Sequence, residues 1–363
     1  MNFLLGINVG ILGLLAVLVL NKRDGSTVDR WLAAYLLCAV GMYLSAYVMI
    51  AYPSTPAPIR LFGGGHGFML LTVLFYAYVR AVCGYANRLL LVWLIPFLTS
   101  MAWGLWLTQT GRESVVDGFT VIAVQAEWER WINVILMVIH LAFPIAGLVV
   151  LRRFGQRARE VSSDLQSVTL NWIRWLLATS MGILMVAIAL FLPGRELNLI
   201  PLPIAGAILM ALLSGQQFLM GLFGLRQTRV FVVDETASDA LRASAVDKAK
   251  ASADLSQLRD HLDASGLFQR SRLTLDELSE SIGWAPSRIS AAIREAEDNF
   301  FEFINRYRVD EFKSRVANPR YRRASMLRLA YDCGFNSKSA FNAVFRRLTG
   351  LTPTQFRNQV GST

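Results

Sequence analysis

Two hydrophobic patterns divide this chain. Up to about Phe223 the apolar residues come in long, nearly unbroken runs, whereas beyond Leu255 they recur every three or four positions among charged residues. The first pattern gives seven runs: Phe3–Leu20, Trp31–Ala51, Leu61–Cys83, Leu89–Leu107, Trp131–Leu151, Trp172–Leu192 and Leu199–Phe223. Each is close to the roughly 20 helical residues that cross hydrocarbon about 30 Å thick. Residues 1–225 are therefore expected to form a seven-span membrane domain. The first run is read as a retained helix, because no basic residue precedes it, no small-residue cleavage site follows, and Lys22-Arg23 comes directly after.

Basic residues orient the spans. Alternate connections hold Lys22, Arg23 and Arg30, then Arg80 and Arg88, then Arg152, Arg153, Arg157 and Arg159, nine in all. The intervening connections hold four, Arg60, Arg112, Arg130 and Arg195, beside Glu113, Asp117, Glu127, Glu129 and Glu196. Excess Lys and Arg marks the cytoplasmic side. The N-terminus is thus expected outside and the C-terminus inside. Trp103, Trp106, Trp128, Trp131, Trp172 and Trp175 sit near run boundaries, where indole rings anchor at the interface.

The second pattern predicts short amphipathic helices. Residues 226–254 are rich in Ala, Ser, Asp and Lys and read as a cytoplasmic tether. If flexible, the 21 residues from Asp234 to Asp254 reach about 25 Å. Asp254–Phe268 reads as one helix. Thr274-Leu275-Asp276-Glu277 is a capping box and Gly283 a stop. Pro286 opens the next helix, and Phe300–Val316 forms a long one. After Gly334, Ser337 is the N-cap of a helix with Phe341, Val344, Phe345 and Leu348 inward and Lys338, Ser339, Asn342, Arg346 and Arg347 outward. Gly350 ends it, and Thr352-Pro353-Thr354-Gln355 starts another. The fold class is all-α: a seven-helix transmembrane bundle, then two helix-turn-helix units within 255–363.

Composition agrees with this division. The 363 residues are 54% hydrophobic yet carry a net charge of +10, with a mean hydropathy of +0.41 and a pI near 9.8. From Gly266 to Asn358 there are 16 Lys plus Arg against 10 Asp plus Glu, about +6, which suits attraction to phosphates. Cys38, Cys83 and Cys333 are scattered and read as small buried apolar residues. No metal site and no cofactor are expected, and His66 and His140 read as satisfied buried histidines. Gly63-Gly64-Gly65-His66-Gly67 lacks the preceding strand and following Lys-Ser/Thr of a phosphate loop, so it reads as a close helix contact. Asn8, Asn133, Gln216 and Gln217 are polar groups within spans and thus functional candidates. The acidic loop from Thr108 to Arg130 is the longest outward piece. Paired carboxylates or a His-rich cluster within the spans would point to an enzyme or transporter; neither occurs, and no enzymatic activity is expected.

Ala330, Gly334-Phe335, Ser337, Phe341, Phe345, Gly350, Thr352-Pro353 and Phe356-Arg357 together resemble the end of an AraC-type DNA-binding domain. The resemblance runs from about Leu273 to Arg357. It implies two helix-turn-helix units joined by a long helix containing Asn305-Arg306-Tyr307-Arg308, with promoter DNA as partner and homodimer binding to repeated half-sites. It also implies site residues. The upstream reading helix offers Ser287, Arg288, Ser290 and Ala291 to bases and Arg294 to the backbone. The downstream one offers Lys338, Ser339, Asn342 and Ala343 to bases, with Arg346 and Arg347 toward phosphates. Ala291-Ala292 and the acidic turn Glu295–Asn299, which lacks a glycine, depart from the family, so specificity is expected mainly from the downstream helix. The resulting expectation is a transcription regulator in the inner membrane of a prokaryote. Its partners would be the lipid bilayer, promoter DNA and either a signal ligand or a partner membrane protein. Alternatives are a transporter or enzyme with an appended DNA-binding controller, or a passive anchor.

Overall fold

A computed structural model describes residues 2–22, 25–52, 54–110, 113–116, 119–122, 127–164, 170–197, 202–226, 248–296 and 298–361. The chain divides into two compact units, one of Met1–Leu151 with Leu170–Val230, the other of Arg152–Thr169 with Phe231–Thr363.

The first unit is built from α1 (Asn2–Leu20), α2 (Thr27–Ala51), α3 (Ala57–Leu61), α4 (Gly67–Val82), α5 (Leu90–Gln109), the first part of α6 (Glu127–Val161), α7 (Asn171–Leu197) and α8 (Leu202–Arg226). Among the described residues five stretches are long and apolar enough to cross a membrane: Thr27–Ala51, Leu90–Gln109, Ile135–Val161, Asn171–Leu190 and Ile204–Arg226. Leu5–Leu20 and Gly67–Val82 are shorter apolar helices. Within the described residues each of the seven expected runs is mainly helical, with residues 199–201 of the last lying outside them. Helix α1 is 19 residues long, and α3, a π-helical stretch and α4 follow one another without a break from Ala57 to Val82.

The glycines of the third run change the helix type within it. Between α3 and α4 the chain forms a π-helical turn, Phe62–His66. A Cβ on Gly63 would lie 2.5 Å from the Ala46 backbone nitrogen of α2. Only a residue without a side chain permits that approach, which is why the glycine run serves helix packing. On the outside of the unit Leu14, Leu91, Leu98, Ile135, Val138 and Met185 are all exposed. At another edge, Lys22 Nζ donates to Asp29 Oδ1 (2.8 Å) and to the Gly224 carbonyl near the end of α8 (3.0 Å). Within the loop expected to face outward the structure adds an antiparallel hairpin, β1 (Glu113–Val116) and β2 (Phe119–Ile122), where only a loop was expected. Asp117 and the side chains of Glu113, Glu127, Glu129 and Asn133 lie outside what is described.

The second unit contains α9 (Lys248–Ser265), α10 (Leu275–Ile282), α11 (Pro286–Glu295), α12 (Phe300–Ala317), α13 (Met326–Asp332), α14 (Lys338–Thr349) and α15 (Pro353–Gly361). Helix α9 begins before Asp254, so 248–254, expected in the tether, is helical. Residues 227–247 of that tether lie outside the described residues. Two separate cores share the unit. Leu255, Leu258, Leu262, Leu278, Ile289, Ile293, Phe300 and Ile304 form the upstream one. Val309, Phe312, Leu329, Phe335, Phe341, Val344 and Phe345 form the downstream one. Helix α12 feeds both, with Phe303 and Phe301 turned to opposite cores, and so works as a rod between two small bundles.

Candidate nucleic-acid interface

The downstream reading helix is set by local chemistry. Gly334 turns the chain at φ +93°, and a Cβ there would lie 2.7 Å from the Gln269 carbonyl oxygen, so no other residue fits. Ser337 then accepts a hydrogen bond from the Ala340 N–H (3.1 Å), satisfying one of the free donors of α14. Gly350, at φ +75°, ends the helix. Thr352 and Gln355 cap α15 reciprocally, the Thr352 N–H donating to Gln355 Oε1 (2.8 Å) and the Gln355 N–H to Thr352 Oγ1 (3.3 Å).

Between these caps α14 shows two faces. Phe341, Val344 and Phe345 are buried, with Phe345 packed against Phe312, Phe341 and Phe356 at centroid distances of 5.3, 5.6 and 5.7 Å. Lys338, Ser339, Asn342, Ala343, Arg346 and Arg347 are all exposed, in two rows of four-residue spacing along one side. Ser339 Oγ lies 3.2 Å from Ser337 Oγ, and Arg347 is held across to another helix. Its guanidinium pairs with Glu302 of α12 and lies 5.8 Å from the Phe301 ring.

The upstream helix α11 is different. Ser287 is half-buried, and Arg288 and Arg294 are exposed, but Ser290 and Ala291 are each only 9% exposed. Helix α9 packs along α11. Its Asp254 grips Arg288 through two hydrogen bonds, from Nε at 3.0 Å and an Nη at 2.6 Å. The Arg288 guanidinium also stacks over Trp284 at 3.7 Å. Hydrogen bonding to the Asp254 carboxylate raises the guanidinium pKa above its ordinary value. The sequence set Ser290 and Ala291 beside Arg288 on an open face; the structure turns both inward because α9 occupies that side. Asp254, Trp284 and Glu302 are the site neighbours that sequence reasoning missed. A lone acidic residue at the start of an amphipathic helix gave no hint of its partner 34 positions away.

A third feature joins the unit together. Arg308 is 1% exposed and donates to the carbonyls of Phe268 (2.8 Å), Arg270 (2.9 Å) and Ser163 (3.3 Å) and to Ser163 Oγ (3.0 Å). Burial lowers its pKa to about 10, and it stays charged at neutral pH. Ser163 belongs to the segment after α6. The Ser163 hydroxyl and N–H both donate to the Leu273 carbonyl (2.7 and 3.1 Å), and Asn336 Nδ2 donates to Asp164 Oδ2 (2.6 Å). Ser162–Asp164 thus fills the junction between the two helical halves. Asn305 and Arg308, within the linker-helix motif singled out in the sequence, hold it there, Asn305 Nδ2 donating to the Ser163 carbonyl (3.1 Å).

Comparison with known proteins bears on this second unit alone. Residues 278–359 match the family model described as a helix-turn-helix domain. An uncharacterised HTH-type transcriptional regulator of Staphylococcus aureus strain COL is 33% identical over 86 residues, which is 23% of this chain and 11% of the relative. A second, from strain MSSA476, matches equally over the same shares. The chain therefore spans about a tenth of the length of these curated relatives. No solved structure matches. The C-terminal part of this chain carries an AraC-type helix-turn-helix domain and is similar there to HTH-type transcriptional regulators.

Proposed function

We propose that this protein is a membrane-integrated, sequence-specific transcription regulator, with a seven-span domain that receives a signal and a cytoplasmic domain that binds promoter DNA. The observation that supports it most is the exposed, basic and amide-bearing side of α14, on a helix-turn-helix domain in a chain with five helices of spanning length among its described residues. On this reading Lys338, Ser339 and Asn342 face base edges. A side-chain amide can pair bidentately with adenine and an ammonium can donate to guanine. Arg346 and Arg294 neutralise phosphates, which adds affinity without sequence information. Arg347 reaches DNA only by giving up Glu302. Arg288 and Ser287 contribute less, because Asp254 holds the first and the helix surface half-covers the second.

Three observations favour spanning in the proposed orientation. The exposed apolar side chains of the first unit would aggregate in water and are at home in lipid. Lys22, assigned to the inside, binds a carbonyl near the end of α8, the end that leads to the DNA-binding domain. The segment with Arg152, Arg153, Arg157 and Arg159, also assigned to the inside, belongs to the same compact unit as that domain. The test is genome-wide mapping of DNA bound by the full-length protein in membranes, beside the Asn342→Ala variant. Discrete promoter sites that lose occupancy in the variant support the reading. Labelling that puts the region around Thr363 outside the cell rejects it.

A further inference from the structure

The first unit holds a partly open cavity of about 340 Å³ among α2, α4, α5, α6, α7 and α8, within the range of about 300–1,000 Å³ usual for small-molecule sites. Its walls combine apolar side chains with a few polar ones. His66 and His140 both line it, and each is fixed by one hydroxyl: His66 Nδ1 lies 2.6 Å from Ser100 Oγ and His140 Nε2 lies 2.8 Å from Thr72 Oγ1. Gln216 is spent on α7, where it donates to Ser180 and to the Leu176 carbonyl. Gln217 is not. It is 1% exposed and lines the cavity, and neither its Nε2 nor its Oε1 has a hydrogen-bond partner; both atoms are closed off from the open space, so pairing with a ligand requires the side chain to turn into the cavity. Among the described lining residues there is no Asp, Glu, Lys or Arg.

These facts define a ligand. A buried carboxamide with both atoms unpaired asks for one acceptor and one donor side by side, the complement offered by another amide. With no charged residue among the described wall residues, a charged head would be buried without compensation, so the ligand is neutral. Most of the remaining wall is apolar. We propose that this cavity binds an uncharged amphiphile whose amide-type head pairs with Gln217 and whose hydrocarbon body lies among Phe68, Leu136, Leu184 and Leu213. The source is either the surrounding bilayer or the medium. That occupancy changes DNA binding rests on the function proposed above; that the site binds such a molecule does not.

The test uses the full-length protein in lipid nanodiscs and three photoreactive probes sharing one chain: decanamide, decanoate and a headless decane. Decanamide is expected to label the cavity helices saturably and to be preferred about tenfold or more over the other two. Gln217→Leu should reduce that preference to near unity while leaving headless labelling unchanged. Ala187→Phe, which fills the cavity, should abolish all three, and it decides the matter if Gln217→Leu fails to fold. Equal labelling by amide and headless probes, or an amide preference that survives Gln217→Leu, overturns the proposal, as does saturable labelling confined to other surfaces. Extraction of the purified wild-type protein separates the sources. A neutral amide-bearing lipid that co-purifies and is lost in Ala187→Phe comes from the bilayer. Its absence together with binding of added decanamide places the source outside. DNA affinity measured with and without saturating decanamide reads the coupling separately, so probe binding can succeed while coupling fails.

Discussion

The two reading helices come from one motif and differ in what covers them. Helix α14 keeps Lys338, Ser339, Asn342, Arg346 and Arg347 exposed on its outer side, with Arg347 paired to Glu302. Helix α11 lies beneath α9, and its Ser290 and Ala291 are turned inward while Arg288 is clamped by Asp254 over the Trp284 ring. A recognition helix is thus made by its neighbours as much as by its own residues. Two copies of a motif in one chain need not do the same work.

The comparison can be tested at descending scale. Phe345→Ala empties the downstream core and should destabilise that half by about 3–5 kcal/mol, abolishing specific binding. Protease mapping should show cleavage near α14 before any near α11; loss of both halves together would show that the two cores fold as one. Asn342→Ala should cost about 1–3 kcal/mol of specific binding and relax choice at one base pair, read by binding to a set of single-substituted duplexes. If Arg288→Ala costs as much, the ranking of the two halves is wrong. Arg346→Ala should weaken specific and random duplexes alike and lower the salt dependence of log K by about 1. Asp254→Ala should have the smallest effect, because the exposed Arg288 guanidinium falls back on solvent when its partner is removed. Its sign is informative: freeing Arg288 should strengthen binding and steepen the salt dependence, whereas weaker binding would mean that Asp254 mainly holds α11 in place.

Much of this domain could be read in advance because its instructions are local. Thr274 with Glu277, Ser337, Gly350, and Thr352 with Gln355 each act within four residues, and each forms as the sequence suggests. The inward and outward faces of α14 follow from helical periodicity alone. What failed to show was the partner of any charge. Arg288 and Asp254 are 34 positions apart, Arg347 and Glu302 are 45 apart, and Arg308 and Ser163 are 145 apart. Nothing in residue spacing carries such pairings. The apolar first unit has the same limit: Gln216 and Gln217 are adjacent and looked equivalent, yet one bonds to α7 and the other lines a cavity with neither amide atom bonded.

By itself, the sequence determined where helices start and stop, which side of each is apolar, and that one half of the chain suits lipid and the other suits nucleic acid. These are set by caps, turns and periodicity, all acting over a few residues. Only the tertiary structure decided which polar side chains remain open. It clamped Arg288, drew Ser162–Asp164 into the junction around Arg308, and brought His66, His140 and Gln217 to one cavity. The reason is that burial and ion pairing are settled by whichever surface arrives from elsewhere in the chain, and that arrival has no local signature.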